Sequence, residues 1–163
     1  MDNWIFYALP IVGALHIVEE YVFPGGFAKA FREMLPRASH LFTVRFHLAV
    51  NGVFFVLCII GALVGKANLM LSLSVYGLIF ANAVLHIRGA ILRKGYYPGV
   101  ATGVLVYIPL AAYAYLHFVT LEQLSWGQAG ISFLLGVLYM VVLMISVLGQ
   151  QKREIDNAET SKE

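Results

Sequence analysis

The sequence predicts an all-α integral membrane bundle of about five transmembrane helices, on three observations. Of its 163 residues 60% are hydrophobic and 12% charged, where a soluble domain carries about 25% charged residues. Its mean hydropathy is +0.79. The apolar residues gather into five long runs, and a bilayer core about 30 Å thick needs roughly 20 such residues in helical form.

The runs are expected as helices over residues 4–21, 41–65, 68–92, 98–121 and 129–149 of one domain, residues 1–149, followed by a polar tail at 150–163. No lysine or arginine precedes the first run, so it lacks the basic start of a signal peptide and is expected to stay as a span. Pro10 bends it, and Phe23-Pro24-Gly25-Gly26 ends it. Residues 27–35 alternate Phe27, Phe31 and Leu35 with Lys29, Arg32 and Glu33, which suits either an amphipathic helix at the interface or a polar loop. The second run ends at Gly65-Lys66, the third at Arg93-Lys94-Gly95 and the fourth, with a kink at Pro109, between Glu122 and Gly127. Gly103, Gly130 and Gly136 are expected to permit close helix packing. The tail from Gln151 is polar and expected to lack regular structure.

Basic residues decide orientation. Lys29, Arg32 and Arg37 lie in the first connection, Arg93 and Lys94 in the third, and Lys152, Arg153 and Lys162 in the tail, against Lys66 alone in the alternate connections. The positive-inside rule puts the N-terminus outside and the C-terminus in the cytoplasm, so the protein is expected as a multi-pass component of the cell membrane. Small basic groups flanking apolar runs exclude nucleic acid as a partner and leave the bilayer and an apolar or lipid-like substrate. Oligomeric state is left open. The one cysteine, Cys58, lies within an apolar run, which excludes an intramolecular disulfide and a CxxC site.

Ionisable groups inside a span cost about 2.5–3.5 kcal/mol each at its centre, so the few present need a purpose. His16 and Glu20, His47 and Asn51, and Asn82 and His86 are each four residues apart, on one helix face, with Glu19 beside the first pair. Because successive helices run in opposite directions, His16, His47 and His86 all fall about 8–10 Å inside one surface at a rise of about 1.5 Å per residue. Asn51 and Asn82 fall a turn deeper. One polar pocket opening to the cytoplasm is expected.

Three imidazoles with one or two carboxylates are the ligand classes of zinc or non-haem iron. His16, His47, His86 and Glu20 are the candidate ligands, Asn51 and Asn82 the partners that orient the imidazoles, and Glu19 or Glu20 the candidate general base. The same groups also suit a hydrogen-bonded network that only joins helices. Arg45 and Arg88 turn away from the cluster, His40 sits at a helix entrance, and His117 belongs to the opposite end.

His16-Ile17-Val18-Glu19-Glu20, Asn82-Ala83-Val84-Leu85-His86 and Tyr96-Tyr97-Pro98-Gly99 resemble, in order, the HxxEE, NxxxH and YxPG signatures of the HXXEE-domain family of small membrane proteins. The resemblance covers about His16 to Gly99 and implies a membrane protein with an enzymatic role, without a reaction to carry over. Tyr96 lies at the pocket mouth, as a proton donor or headgroup contact or as an interfacial aromatic, Pro98 suits a first helical turn, and Gly99 allows close approach.

The reading is a metal-dependent membrane enzyme, most simply a hydrolase of a lipid or other apolar substrate. The alternatives are a metal-free acid/base isomerase or cyclase of a sterol- or terpenoid-like substrate, and a small transporter or proton pathway. A haem held by His47 and His86 leaves the glutamates without a role.

Overall fold

A computed structural model describes residues 3–22, 26–34 and 44–160. Seven helical segments follow in order: α1 (Trp4–Val22), α2 (Gly26–Met34), α3 (Val44–Val64), α4 (Leu69–Arg93), α5 (Val100–Thr102), α6 (Ile108–Thr120) and α7 (Trp126–Thr160). The described residues contain no strand. Residues 23–25 and 35–43, including His40 and the expected start of the second span, lie outside them, as does the side chain of Arg45.

Among the described residues, four stretches are long and apolar enough to cross a membrane: Trp4–Val22, His47–Arg93, Val100–Thr120 and Trp126–Ser146. The second is folded back on itself. A 3-10 turn, Gly65–Asn68, separates α3 from α4. Gly65 there takes φ +49°, and Asn68 leaves the helical region before its side chain caps the amide of Leu71 at 3.1 Å. The hydroxyl of Ser72 then lies 2.9 Å from the carbonyls of both Gly61 and Gly65. Eleven residues of straight helix would separate Ser72 from Gly61 by about 16 Å, so α3 and α4 are an antiparallel hairpin. The described residues thus form the five long helices expected.

Many exposed positions on these helices are large and apolar: Leu63 is 79% exposed, Leu105 74% and Ile11 68%. A helix apolar on its outer face as well as its inner one has lipid as its solvent. Inside, α1 buries Ile5, Phe6, Leu9, Gly13, His16 and Glu20, a stripe at helical spacing that changes from apolar to polar along its length. The apolar part packs on Phe54, Cys58 and Ile79, and the Tyr76 hydroxyl donates to the Ile5 carbonyl.

The fourth long helix is α5, a π-helical stretch at Gly103–Tyr107, and α6. The π turn ends two residues before Pro109, whose ring and missing N–H disfavour a regular turn there. α7 begins three residues before the expected 129 because Ser125 and Gln128 form a reciprocal cap: Ser125 Oγ accepts from the Gln128 amide at 3.2 Å and Gln128 Oε1 from the Ser125 amide at 2.9 Å. It also continues to Thr160, through the tail expected to lack structure. The glutamine, lysine, arginine, glutamate and alanine of that segment are good helix formers, which carry the helix on after its apolar face ends.

α7 crosses α4 at glycines. A Cβ on Gly136 would run into backbone atoms of Ser74, Gly77 and Leu78, and one on Gly77 into the Phe133 carbonyl. Gly103 likewise lies against Ala83, whereas Gly130, expected at such a contact, faces open space. Gly136→Ala is therefore expected to force α4 and α7 apart and cost about 3 kcal/mol, the upper part of the overpacking range. Gly130→Ala should change stability by less than about 0.5 kcal/mol. Thermal unfolding of both variants in detergent checks the contrast, and equal melting temperatures would refute it.

Candidate functional site

The polar end of the α1 stripe meets the polar stripes of α3 and α4 around one carboxylate. Glu20 Oε1 lies 3.1 Å from His86 Nε2 and 3.5 Å from His16 Nε2. Glu20 Oε2 lies 3.0 Å from His47 Nε2 and accepts from Asn51 Nδ2 at 2.6 Å. All three histidines are thus brought to Glu20, and each of the five residues is less than 8% exposed. His16, Glu20 and His86 have ligand atoms within 4.8 Å of one another, a group able to hold a metal ion. His47 reaches the other carboxylate oxygen, outside that group of three. Asn82 is half-buried and makes no hydrogen bond to the cluster among the described residues.

The segment after α4 closes the site. Gly99 takes φ +91° and starts α5, and a Cβ on it would lie 2.5 Å from the His86 ring and 2.8 Å from His16 Cε1. Pro98, expected in a first helical turn, precedes the helix and offers its carbonyl to His86 Nδ1 at 2.6 Å. A carbonyl only accepts, so Nδ1 carries the proton. In neutral His86 the lone pair is then on Nε2, facing Glu20 Oε1. Two acceptors at 3.1 Å need a proton or a cation between them.

Glu19, the neighbour of Glu20, faces elsewhere. Its oxygens accept from the Tyr96 hydroxyl at 2.6 Å, the amides of Ala101 and Thr102 at 3.0 and 2.7 Å, and the Thr102 hydroxyl at 2.5 Å. A carboxylate at the start of a helix answers amides that have no partner within it. Burial, and then the hydrogen bond to Glu19, raise the pKa of Tyr96, so it stays a phenol and a donor at neutral pH. Tyr97 is pushed up by burial and by the charge of Glu20.

Aromatic rings enclose the rest. Phe27 of α2 stacks on His47 with ring centres 4.8 Å apart and lies 5.3 Å from His86 and 5.5 Å from Tyr97. Tyr21 also stacks on His47 at 4.8 Å, and Tyr107 packs against His16 at 4.6 Å. The amphipathic stretch is therefore a helix that covers the cluster, with Ala30 buried beneath it and Glu33 paired to Arg93 at 2.7 Å. Arg88 is exposed, and His117 packs on Tyr113 and Phe118 away from the cluster.

Sequence reasoning missed Thr102, Phe27 and Tyr107. Thr102 carried a signal: it is the one hydroxyl residue in the apolar run from Val100 to Val106. Phe27 and Tyr107 were indistinguishable from ordinary core or interfacial aromatics.

A family model described as "Protein of unknown function with HXXEE motif" matches residues 7–114. Among curated proteins and solved structures, none matches the chain.

Proposed function

Starting from the premise that this chain belongs to the HXXEE family, we propose that it is a membrane-embedded, metal-dependent enzyme. His16, Glu20 and His86 would hold a divalent ion, zinc or iron. One observation carries the reading. The lone pair of neutral His86 Nε2, the Glu20 Oε1 atom and a buried His16 Nε2 without a hydrogen-bond partner face a common point. Two neutral nitrogens and a carboxylate oxygen fit the donor set of these metals.

When bound, the ion would supply Lewis acidity to a carbonyl or phosphoryl oxygen. The chain's own groups do the rest. The Pro98 carbonyl fixes the His86 ring, Asn51 holds the second oxygen of Glu20, and His47 on that oxygen can give or take a proton. Phe27, Phe54 and Tyr107 keep bulk water from the cluster.

Hydrolysis of a lipid, or of another apolar chain with a polar reactive end, is the simplest chemistry for such a centre, with the pocket toward the cytoplasmic leaflet of the cell membrane. That class is supported by the apolar walls of the site and the lipid-facing helices around it. A metal-free acid/base isomerase or cyclase would use the same groups, since a proton can replace the cation between His86 and Glu20.

Elemental analysis of detergent-purified protein decides between them. Stoichiometric zinc or iron in the wild type, lost in His16→Ala and in His86→Ala, is expected. A folded wild type that stays metal-free after supplementation would overturn the metal reading and leave acid/base chemistry.

A further inference from the structure

Thr102 belongs to none of the three motifs, yet its hydroxyl joins a carboxylate to an imidazole. Thr102 Oγ1 lies 2.5 Å from Glu19 Oε2 and 2.7 Å from His16 Nδ1. A hydroxyl has one proton, an ionised carboxylate accepts only, and the other acceptor within reach, the Gly99 carbonyl, is 3.4 Å away. The hydroxyl proton therefore goes to Glu19, and Oγ1 accepts the Nδ1–H of His16. That bond assigns the His16 proton to Nδ1 and leaves the lone pair on Nε2, the atom aimed toward Glu20.

Glu19 has no freedom to do anything else. Its two oxygens already receive four donors, from Tyr96, Ala101 and the amide and hydroxyl of Thr102. A carboxylate held this way is a poor base and a poor ligand, because either role would first strip donors from it. It is well placed to orient, since the four bonds fix it to the start of the fourth long helix while its neighbour Glu20 faces the histidines.

We propose that Glu19 and Thr102 are positioning residues of the metal site, which hold His16 in the tautomer that presents Nε2 as ligand, so that Glu19 orients and Glu20 binds. This rests on the metal reading above for its consequence, but the tautomer is a property of the metal-free protein. Carboxylate and hydroxyl partners of ligating histidines typically change metal affinity by about 10–100-fold when removed.

The test uses the full chain in detergent as wild type, Thr102→Ser, Thr102→Val and, should valine disturb folding, Thr102→Ala. Histidine nitrogen chemical shifts of the metal-free protein report the tautomer, and titration with cobalt(II) reports affinity and ligand-field spectrum. The wild type and the serine variant are expected to show His16 protonated at Nδ1 and to share one affinity and spectrum. The valine or alanine variant should show mixed tautomers and bind about 10–100-fold more weakly. Unchanged tautomer in those variants would overturn the assignment whether or not metal binds. Absent cobalt binding in the wild type, with the tautomer shift still seen, would overturn the metal reading alone.

Discussion

Gly99→Ala is expected to abolish metal binding and to lower the melting temperature of the metal-free protein. Two independent costs act at this position. The backbone holds φ +91°, where a side chain is strained by about 1–3 kcal/mol. The added methyl would also lie 2.5 Å from Cε1 and Nδ1 of His86 and 2.8 Å from Cε1 of His16. Neither ring can yield cheaply, since His86 is tied to the Pro98 carbonyl and His16 to Thr102. Overpacking of this kind adds about 1–3 kcal/mol. Gly95→Ala, four residues earlier and facing open space, is the control. Thermal unfolding and elemental analysis of both variants check the expectation; a Gly99→Ala protein with wild-type metal content would sink the geometry described for the site.

Glu20→Gln should separate stability from metal binding. The glutamine oxygen can keep the bond from Asn51 Nδ2, now 2.6 Å, and its NH2 can donate toward the Nε2 atoms of His86 and His16 at 3.1 and 3.5 Å. The metal-free variant then has its buried groups answered and is expected to melt no lower than wild type. The carboxylate charge and the ligand oxygen are gone, so stoichiometric metal should be lost. On the metal reading, wild type in zinc at a hundred times its dissociation constant is expected to gain about 2.7 kcal/mol of stability, which Glu20→Gln should not show. Glu20→Ala, by contrast, removes the centre of the network outright and should cost about 3–5 kcal/mol. Melting curves with and without zinc read both effects. A zinc-dependent rise retained in Glu20→Gln would remove Glu20 from the ligand set.

The spans and the meeting of three histidines were legible in the sequence because each leaves a pattern along one helix. Apolar runs give the spans, four-residue spacing gives the stripes, and alternating direction gives the shared depth. His16, His47 and His86 around Glu20 needed nothing further. The sequence placed Glu20 in the ligand set but left the general base open between the two adjacent carboxylates. Glu19 and Glu20 are one residue and about 100° apart on the helix, and the amides that answer Glu19 are placed by where the fourth helix starts. Asn51 and Asn82 looked equivalent for the same reason, yet only Asn51 reaches Glu20. The covering role of α2 was hidden because an amphipathic nonamer reads alike on a lipid surface and on a protein one. Helix ends moved with local chemistry, as the Ser125 and Gln128 cap shows.

Every described group that touches the cluster comes from the stretch between His16 and Tyr107, while α7 packs across α4 at Gly77 and Gly136. During synthesis, then, the chain has produced all the donors before α7 leaves the ribosome. The last helix arrives as a buttress to a centre whose parts are already in the membrane, and the centre's assembly is separable in time from completion of the bundle.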